Sequence, residues 1–228
     1  MAVASNRDAK DEQDWDSYWG KKSKSANAVY DLIAKFYRYF IIQPYLKHFT
    51  TKNLHKGAQI LHAGCGSGQV DLGISNTFNI TALDISQEAL EIYKSIHQSS
   101  KVVKGSIFQL PFEDNHFDGI YNLGVMEHFR EEEIQQILQE FKRVLKPGGK
   151  IILFWPPTFG LTVNVLDTAH FILNNIFKLN VQLHPEEITR IKSRKHALNI
   201  INQSGFNFEE YYFGIKDMFT QVVLTASK

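Results

Sequence analysis

Short apolar runs alternate with amphipathic, helix-like stretches through most of this chain, and that alternation restricts the fold more than any other feature. Parallel strands joined by helices give such a pattern, and their sheet is covered on both faces. Two strand-like runs near the end have only a short connection, which predicts an antiparallel pair. The predicted strands are 59–63, 78–85, 101–106, 117–124, 150–157, 206–214 and 217–228, and the predicted helices are 26–47, one from about residue 69, 86–98, 130–145 and 185–204.

Residues outside this alternation set the expected domain organisation. Residues 1–14 are polar and charged and are expected to be frayed, so a mobile segment is predicted for 1–25 and a single domain for 26–228. Pro44 is expected to kink or end the first long helix, and Pro147 to follow the end of the helix at 130–145. Residues 157–184 are too long and too apolar for a plain connection, which predicts an inserted lid.

The run ILHAGCGSG places Gly64, Gly66 and Gly68 directly after the first predicted strand. Ligands of open α/β sheets bind at the carboxyl ends of strands, and glycine lets a ligand approach the backbone closely. Asp84 ends the second predicted strand, where an acid accepts hydrogen bonds from the hydroxyls of a ribose. The alternatives are a tight turn without a ligand and a helix-capping Asp84, but Ser86 already suits the cap. The combination predicts an adenosine-type ligand.

The spacing of these glycines distinguishes two classes of adenosine ligand. The dinucleotide fingerprint is G-x-G-x-x-G, with a helix N-terminus directed at a pyrophosphate. Here the spacing is G-x-G-x-G, followed by Gln69. A nicotinamide-dependent oxidoreductase is therefore the less favoured hypothesis.

Four segments together resemble the motifs of a known enzyme family. ILHAGCGSG, ALDIS, GSIFQLPFEDNHFDGIYNLGVMEHF and FKRVLKPGGKIILF are similar to motifs I, post-I, II and III of class I S-adenosylmethionine-dependent methyltransferases, small-molecule enzymes of the "methyltransferase type 11" kind. The resemblance runs from about Gly57 to Trp155. It implies a Rossmann-like, doubly wound α/β fold with seven strands in the order 3-2-1-4-5-7-6, strand seven antiparallel.

The resemblance also implies residue roles. S-adenosylmethionine would be bound and S-adenosylhomocysteine released, with the glycine loop under the methionine part, Asp84 on the ribose, three residues around the adenine and three beside the reacting sulfonium. Trp19, which precedes the first long helix, is a further pocket candidate. The implied cofactor residues are His62, Gly64, Cys65, Gly66, Gly68, Asp84, Ile85, Ser106, Ile107, Phe108, Asn122, Leu123, Gly124 and Trp19.

Two of these positions depart from the family pattern. The family usually has an acid where His62 stands, which helps to hold the amino group of the cofactor. A neutral histidine accepts a hydrogen bond, whereas a protonated one repels an ammonium group, so affinity is expected to be lower or to depend on pH. Ser106 stands where an aspartate is common, and its hydroxyl is a weaker acceptor for the adenine amino group. His62 also has a plainer interpretation as a core histidine, and Cys65 is interpreted as a packing residue.

Glu127 and His128, directly after the fourth predicted strand, are the candidate catalytic residues. A histidine with a pKa near neutrality can take the proton of an acceptor hydroxyl, although the same residue can simply shape the site. Some methyltransferases hold a divalent cation with E-x-x-E-H, but Gly124 replaces the first acid here. Two ligands make a poor site, so no metal is expected.

The remaining sequence features bear on the acceptor and the location. The apolar lid and the aromatic residues near the N-terminus predict a pocket for a small or lipophilic acceptor, with oxygen or nitrogen as the favoured methyl acceptor atom. A net charge of +1 argues against a nucleic-acid substrate. The single cysteine, the lack of an apolar leader and the lack of a membrane-length apolar run predict a cytoplasmic protein with no stable membrane insertion. The competing hypothesis is a non-catalytic S-adenosylmethionine sensor or partner subunit, and the oligomeric state stays open.

Overall fold

A seven-stranded sheet forms the centre of the computed structural model, which describes residues 6–24, 35–161 and 187–228. The strand order is β3-β2-β1-β4-β5-β7-β6, and all neighbours pair in parallel except β7, which is antiparallel to both β5 and β6. The fold and strand order implied by the resemblance are confirmed. The strands are β1 (Gln59–Ala63), β2 (Asn79–Asp84), β3 (Lys101–Lys104), β4 (Phe117–Leu123), β5 (Leu145–Trp155), β6 (Asn207–Tyr212) and β7 (Val222–Ser227).

Helices and short helical turns connect the strands and cover the sheet. Ser86 caps α3 as predicted, because its hydroxyl accepts a hydrogen bond from the backbone N–H of Ala89 at 3.1 Å. The helices are α1 (Asn6–Lys24), α2 (Gln43–Asn53), α3 (Gln87–Ile96), α4 (Glu131–Val144) and α5 (Arg194–Gln203), with a π-helical turn at Arg38–Ile42 and 3₁₀ turns at Gln69–Gly73, Met126–His128 and Ile215–Asp217.

The two faces of the sheet carry separate apolar clusters. Successive side chains of a strand point to opposite faces, so Ile120 joins one cluster and Tyr121 the other. Helix α4 covers the first face with residues spaced three and four apart, which is the periodicity of one helical stripe. Truncating its fully buried Phe141 to alanine is expected to cost about 3–5 kcal/mol of stability. The buried residues of α4 are Ile134, Ile137, Leu138, Phe141 and Val144.

Several elements differ from the sequence prediction. The strands predicted for 150–157 and 217–228 are Leu145–Trp155 and Val222–Ser227 in the structure. The helix expected from about residue 69 is a five-residue 3₁₀ turn, Gln69–Gly73, closed by a hydrogen bond from the backbone N–H of Ile74 to the carbonyl of Asp71. Pro44 does not end the helical run: residues 35–37 are helical, Arg38–Ile42 form a π-helical turn, and α2 continues from Gln43, so the interruption expected at Pro44 takes the form of the π-turn that precedes it. The helix predicted for 185–204 begins only at Arg194, where Ser193 caps it, and residues 187–193 form no helix, with Ile191 in a bridge to Pro157.

The N-terminal prediction also needs correction. A helix, α1, covers Asn6–Lys24 where the sequence indicated a frayed segment. Its polarity misled the prediction, because the few large apolar groups of this helix face a ligand cavity rather than the core. The mobility of residues 1–25 and the division at residue 26 remain predictions. Most of the predicted lid (162–184) and the first part of the long helix (26–34) lie outside the described residues.

Candidate functional site

A cavity of about 550 Å³ lies at the carboxyl ends of β1, β2 and β4. This is the topological switch point of the sheet, because the connection from β1 leads to one side and that from β3 crosses to the other. All but two of the predicted site residues line the cavity. The exceptions are Asn122 and Glu127. The predicted residues that line the cavity are Trp19, His62, Gly64, Cys65, Gly66, Gly68, Asp84, Ile85, Ser106, Ile107, Phe108, Leu123, Gly124 and His128.

The glycine loop is shaped both by backbone conformation and by what packs against it. Gly66 has φ +50°, and a Cβ atom there would lie 2.6 Å from Cζ2 of Trp19. Gly68 has φ +62°, and a Cβ atom there would lie 2.2 Å from ring carbons of Tyr93. Contacts this short are prohibited between real atoms, so neither position accepts a side chain without rearrangement.

Four of the five backbone N–H groups from Gly64 to Gly68 donate hydrogen bonds within the protein. Those of Gly64 and Cys65 donate to the carbonyl of Leu83 at 2.8 and 2.9 Å, and that of Gly68 donates to the carbonyl of Cys65 at 3.0 Å. A phosphate-binding loop instead directs such groups at its ligand and is followed by a helix N-terminus. Neither condition is met here, because the loop is followed by the short 3₁₀ turn. The loop is therefore shaped for close packing of an uncharged or cationic group rather than for a pyrophosphate.

Asp84 connects the loop to the start of α3. Its Oδ2 accepts a hydrogen bond from the backbone N–H of Gly66 at 2.8 Å, and its Oδ1 accepts one from Ser86 at 2.9 Å. The carboxyl is only 8% exposed, and burial raises its pKa above the usual value. Each oxygen has a second lone pair, so the group can still accept hydrogen bonds from vicinal hydroxyls in the cavity.

A buried acid that the sequence analysis missed supports His62. Oδ2 of Asp71 lies 2.9 Å from Nδ1 of His62 and accepts a hydrogen bond from the Tyr93 hydroxyl at 2.8 Å, while Oδ1 accepts one from Tyr121 at 2.7 Å. The His62 ring stacks on Tyr121 with 4.3 Å between centroids. Burial and the carboxylate of Asp71 raise the pKa of the Tyr121 hydroxyl far above its usual value, which keeps it a donor. The plainer interpretation of His62 as a satisfied core residue and its place in the cavity wall are thus both correct.

Helix α1 contributes to the cavity wall, and the sequence analysis found only Trp19 of its contributions. Oδ1 of Asp16 accepts a hydrogen bond from the Ser86 hydroxyl at 2.6 Å and one from the backbone N–H of Glu88 at 3.3 Å. Asp16 thereby holds α1 at the start of α3, where a carboxylate suits the helix dipole. Further cavity residues that the sequence did not indicate are Asp11, Trp15, Tyr37, Arg38, Ile42, Ser67, Gln69, Val70, Gly105, Val125, Phe129 and Gln221.

The two candidate catalytic residues lie in the same 3₁₀ turn, but their side chains have different surroundings. His128 lines the cavity, and its ring lies 5.1 Å from that of Trp15 in an edge-on arrangement. Glu127 points away and is 5% exposed, and its Oε2 has no hydrogen-bond partner within the described ranges. Burial raises the pKa of the Glu127 carboxyl to about 8. Although the two residues are adjacent in sequence, only His128 of the pair lies at the cavity wall.

Asn122 also lies away from the cavity wall. Its neighbours Tyr121 and Leu123 share one face of β4, so its side chain faces the opposite cluster. The amide is fully buried, and neither of its polar atoms has a partner among the residues that the structure describes. Asn122 was predicted to lie beside the reacting sulfonium. The alternation of side chains along β4 instead directs it to the face of the sheet opposite to Tyr121 and Leu123.

The described residues offer neither a metal-binding cluster nor a helix that could span a membrane. They contain no group of three or more histidine, cysteine, aspartate or glutamate side chains arranged to hold a metal ion. Within those same ranges, no helix combines the length and the apolar character needed to cross a membrane. Burial raises the pKa of the Cys65 thiol well above its usual value, which makes that group a poor nucleophile.

Comparison with known proteins gives a family for the central segment. Residues 61–153 match a family model described as a methyltransferase domain. A demethylmenaquinone methyltransferase of Staphylococcus aureus is 32% identical over 112 residues. The match covers 43% of this chain and 43% of that protein. The chain thus spans less than half the length of the curated relatives that it matches.

Solved structures agree with this over more of the chain. A SAM-dependent methyltransferase from Methanosarcina mazei has a TM-score of 0.62 at 20% identity, covering 79% of this chain and 96% of that one. Magnesium protoporphyrin IX methyltransferase from Synechocystis PCC 6803, solved with bound SAH, has a TM-score of 0.59 at 15% identity, covering 82% of each. At these identities the likeness concerns the fold, and the family match at 61–153 supplies the sequence evidence. Together they show that residues 61–153 are similar in sequence to a methyltransferase domain and that the chain has the fold of S-adenosylmethionine-dependent methyltransferases.

Proposed function

We propose that this chain transfers the methyl group of S-adenosylmethionine to an oxygen or nitrogen atom of a small-molecule acceptor. The observation that supports this most is the hydrogen bond between the glycine loop and the buried carboxyl of Asp84, both in the cavity wall. Loop N–H groups occupied within the protein disfavour a pyrophosphate, whereas a buried carboxylate with free lone pairs suits the hydroxyls of a ribose. A cavity of about 550 Å³ falls in the range that holds a ligand of nucleoside size together with part of an acceptor.

The residues at the cavity fit such a cofactor by their chemistry. Asp84 would hold the ribose, and the glycine loop in the cavity wall, with Trp19 packed on Gly66, would lie against the methionine part. Ile85, Ser106, Ile107 and Phe108 would surround the adenine. His62 would accept a hydrogen bond from the cofactor ammonium, which is the service that an acid performs at this position in the family.

The protein's part in the reaction is to orient, to exclude water and to move a proton. When bound, S-adenosylmethionine supplies an electrophilic methyl group, and its sulfur keeps the bonding electron pair as that group leaves. The side chains of Trp15, Trp19 and Phe129 exclude water from the cavity, which strengthens the remaining electrostatic interactions. His128 would take the proton of an acceptor hydroxyl or amine during transfer.

The apolar wall suits an acceptor that is small and largely apolar. Besides these aromatic side chains, Tyr37, Ile42, Phe108 and Leu123 contribute to the wall, with Arg38 and Gln221 as the polar groups able to orient a substituent. The name of the staphylococcal relative assigns demethylmenaquinone to that protein, which agrees with this acceptor class without deciding it.

Calorimetric titration tests the proposal directly. The purified chain is titrated with S-adenosylmethionine, S-adenosylhomocysteine and NAD, and binding of the first two without NAD is the expected result. Turnover is then followed as release of S-adenosylhomocysteine over a panel of phenols, quinols and amines. Binding of NAD alone, or of none of the three, contradicts the assigned site. Tight binding with no turnover on the whole panel would instead favour a non-catalytic sensor.

A further inference from the structure

The exposed large apolar side chains of the described residues all lie at one end of the molecule. We call this end the apolar pole. It comprises the connections at the carboxyl ends of the parallel strands, where the cavity also opens. Their exposed fractions run from 42% to 78%. The residues are Phe36, Tyr39, Phe40, Leu72, Phe159, Leu161, Ile188, Ile215, Met218 and Phe219.

Contacts between these connections make the pole one continuous surface. The Tyr37 hydroxyl donates to Oγ1 of Thr220 at 2.7 Å, and the Arg38 guanidinium donates to Oε1 of Gln69 at 2.7 Å. The backbone N–H of Leu161 donates to the carbonyl of Phe219 at 2.8 Å. Segments that are far apart in sequence are therefore held side by side with their apolar groups outward.

Backbone strain accompanies this exposure. Met218 and Phe219 have φ values of +60° and +59°, a conformation that costs a non-glycine residue free energy. The side chains that this conformation presents are 49% and 45% exposed, so their burial does not repay the cost within the described structure. Strained positions kept in spite of their cost are commonly functional.

Basic side chains predominate in the stretches that carry most of the exposed apolar residues. Nearby acids, Glu12 and Asp16 of α1 and Glu187 beside Ile188, are bonded to Lys104, Ser86 and Arg190. Residues 35–50, 156–161 and 213–221 contain one acid, Asp217, which is fully buried and bonded to Thr220 and Gln221. Lys35 is exposed in the same region, and Nζ of Lys216 lies 2.6 Å from Nε2 of His48. The opposite end of the sheet instead carries exposed charges of both signs, such as Lys56 and Asp114.

We propose that the apolar pole docks on the surface of an anionic lipid bilayer. Large apolar and aromatic groups enter the boundary between headgroups and acyl chains, and lysines next to them are attracted by anionic lipids. Because Tyr37, Arg38 and Ile42 line the cavity, its mouth would open towards the membrane. Entry of a lipophilic acceptor from the bilayer then follows if the proposed function is correct, whereas the docking itself does not depend on it.

Vesicle sedimentation with the full chain tests this. Vesicles of phosphatidylcholine alone are compared with vesicles that also contain phosphatidylglycerol, and binding to the anionic vesicles that weakens with added salt is expected. Phe40→Ser and Ile215→Ser change exposed residues outside the cavity, and each should lower the partition coefficient roughly tenfold. Lys216→Gln should weaken binding more than Lys56→Gln, which removes the same charge at the opposite end.

Several results would overturn the proposal. Absence of partitioning in either vesicle, partitioning unaffected by the two serine variants, or equal effects of the two glutamine variants would each do so. Concentration-dependent dimerisation that the same serine variants abolish, with no vesicle binding, would assign the pole to a second copy of the chain. Titration with S-adenosylmethionine in the absence of lipid separates the two proposals, since cofactor binding without vesicle binding contradicts the docking alone.

Discussion

Nδ1 of His62 lies 2.9 Å from Oδ2 of Asp71, and this contact determines which nitrogen of His62 can serve a ligand. A carboxylate has no hydrogen to donate, so Nδ1 carries the hydrogen, and the tautomer compatible with this contact has its lone pair on Nε2. His62 thus stands where the family usually has an acid. Its Nε2 can accept a hydrogen bond, because the contact with Asp71 fixes the tautomer of the ring. In this arrangement Asp71 is a positioning residue.

Asp71→Asn tests this arrangement. The amide presents hydrogens to groups that already donate, so about 3–5 kcal/mol of stability should be lost. Affinity for S-adenosylmethionine should also fall, since His62 is no longer held in one tautomer. Tyr121→Phe is the matched control, because it removes one donor to the same carboxylate and should cost less, about 1.5–3 kcal/mol, with affinity retained. Denaturant unfolding and calorimetry measure both, and lost affinity in the tyrosine variant alone would contradict the role of Asp71.

Asp84→Asn should weaken binding of S-adenosylmethionine roughly tenfold to a hundredfold, because charged acceptors make the stronger hydrogen bonds to hydroxyls. Calorimetric titration measures the change, and the thermal unfolding midpoint monitors the fold. Glu91→Gln, on the exposed face of α3, makes the same chemical change away from the cavity and should leave affinity unaltered. Unchanged affinity in the Asp84 variant would show that the ribose site is misplaced.

Two glycines with left-handed backbones separate conformational strain from packing. Gly148→Ala meets no atom within 4 Å at φ +74° and should cost about 1–2 kcal/mol through strain alone. Gly68→Ala carries a similar strain at φ +62°, and its Cβ atom also collides with the Tyr93 ring, which should add about 1–3 kcal/mol. Urea unfolding of both variants gives the difference, and equal losses would mean that the loop does not need the close approach of Tyr93.

The buried carboxyl of Glu127 predicts a pH dependence of stability. Burial raises its pKa from 4.5 to about 8, so between these values the folded state binds the proton and the unfolded state releases it. Its contribution is therefore full at low pH and is lost as pH rises from about 4.5 through about 8. Glu127→Gln removes this titration, so the pH dependence of stability should decrease by an amount on the order of 4 kcal/mol across that window. Denaturant unfolding at several pH values checks this, and parallel curves for the two proteins would contradict it.

His128→Gln distinguishes proton transfer from a shape role. If His128 takes the acceptor proton, kcat should fall by roughly 10²–10⁴ while the dissociation constant of S-adenosylmethionine changes little. The measurement is release of S-adenosylhomocysteine under saturating acceptor over a range of pH. A fall of less than tenfold with an unchanged pH profile would indicate that the histidine only shapes the cavity. Glu127→Gln is the control at the neighbouring position, and it should lower kcat far less, since its carboxyl lies outside the cavity.

Much of the fold could be predicted from local sequence. The strands around Ile60, Ala82 and Tyr121 are short apolar runs with clear boundaries, and the apolar stripe of α4 repeats every three to four residues. Ser86 was recognisable as a cap from its position before a helical pattern. Such features depend on neighbours within a few residues, so the linear sequence contains them. The order of the strands came from the family resemblance rather than from these patterns.

Only the tertiary structure decided which side chains share the site. Asp71 and Tyr121 are distant in sequence, and no local pattern indicates that they meet behind His62. Likewise, the polar helix α1 looks unstructured by composition, yet Asp16 fastens it to α3 and Trp19 covers Gly66. Glu127 and His128 are adjacent in sequence but face different surroundings, because successive residues of a tight turn point in different directions. Local periodicity is encoded by neighbouring residues, whereas burial, hydrogen-bond partners and pKa shifts depend on elements that meet only when the chain packs.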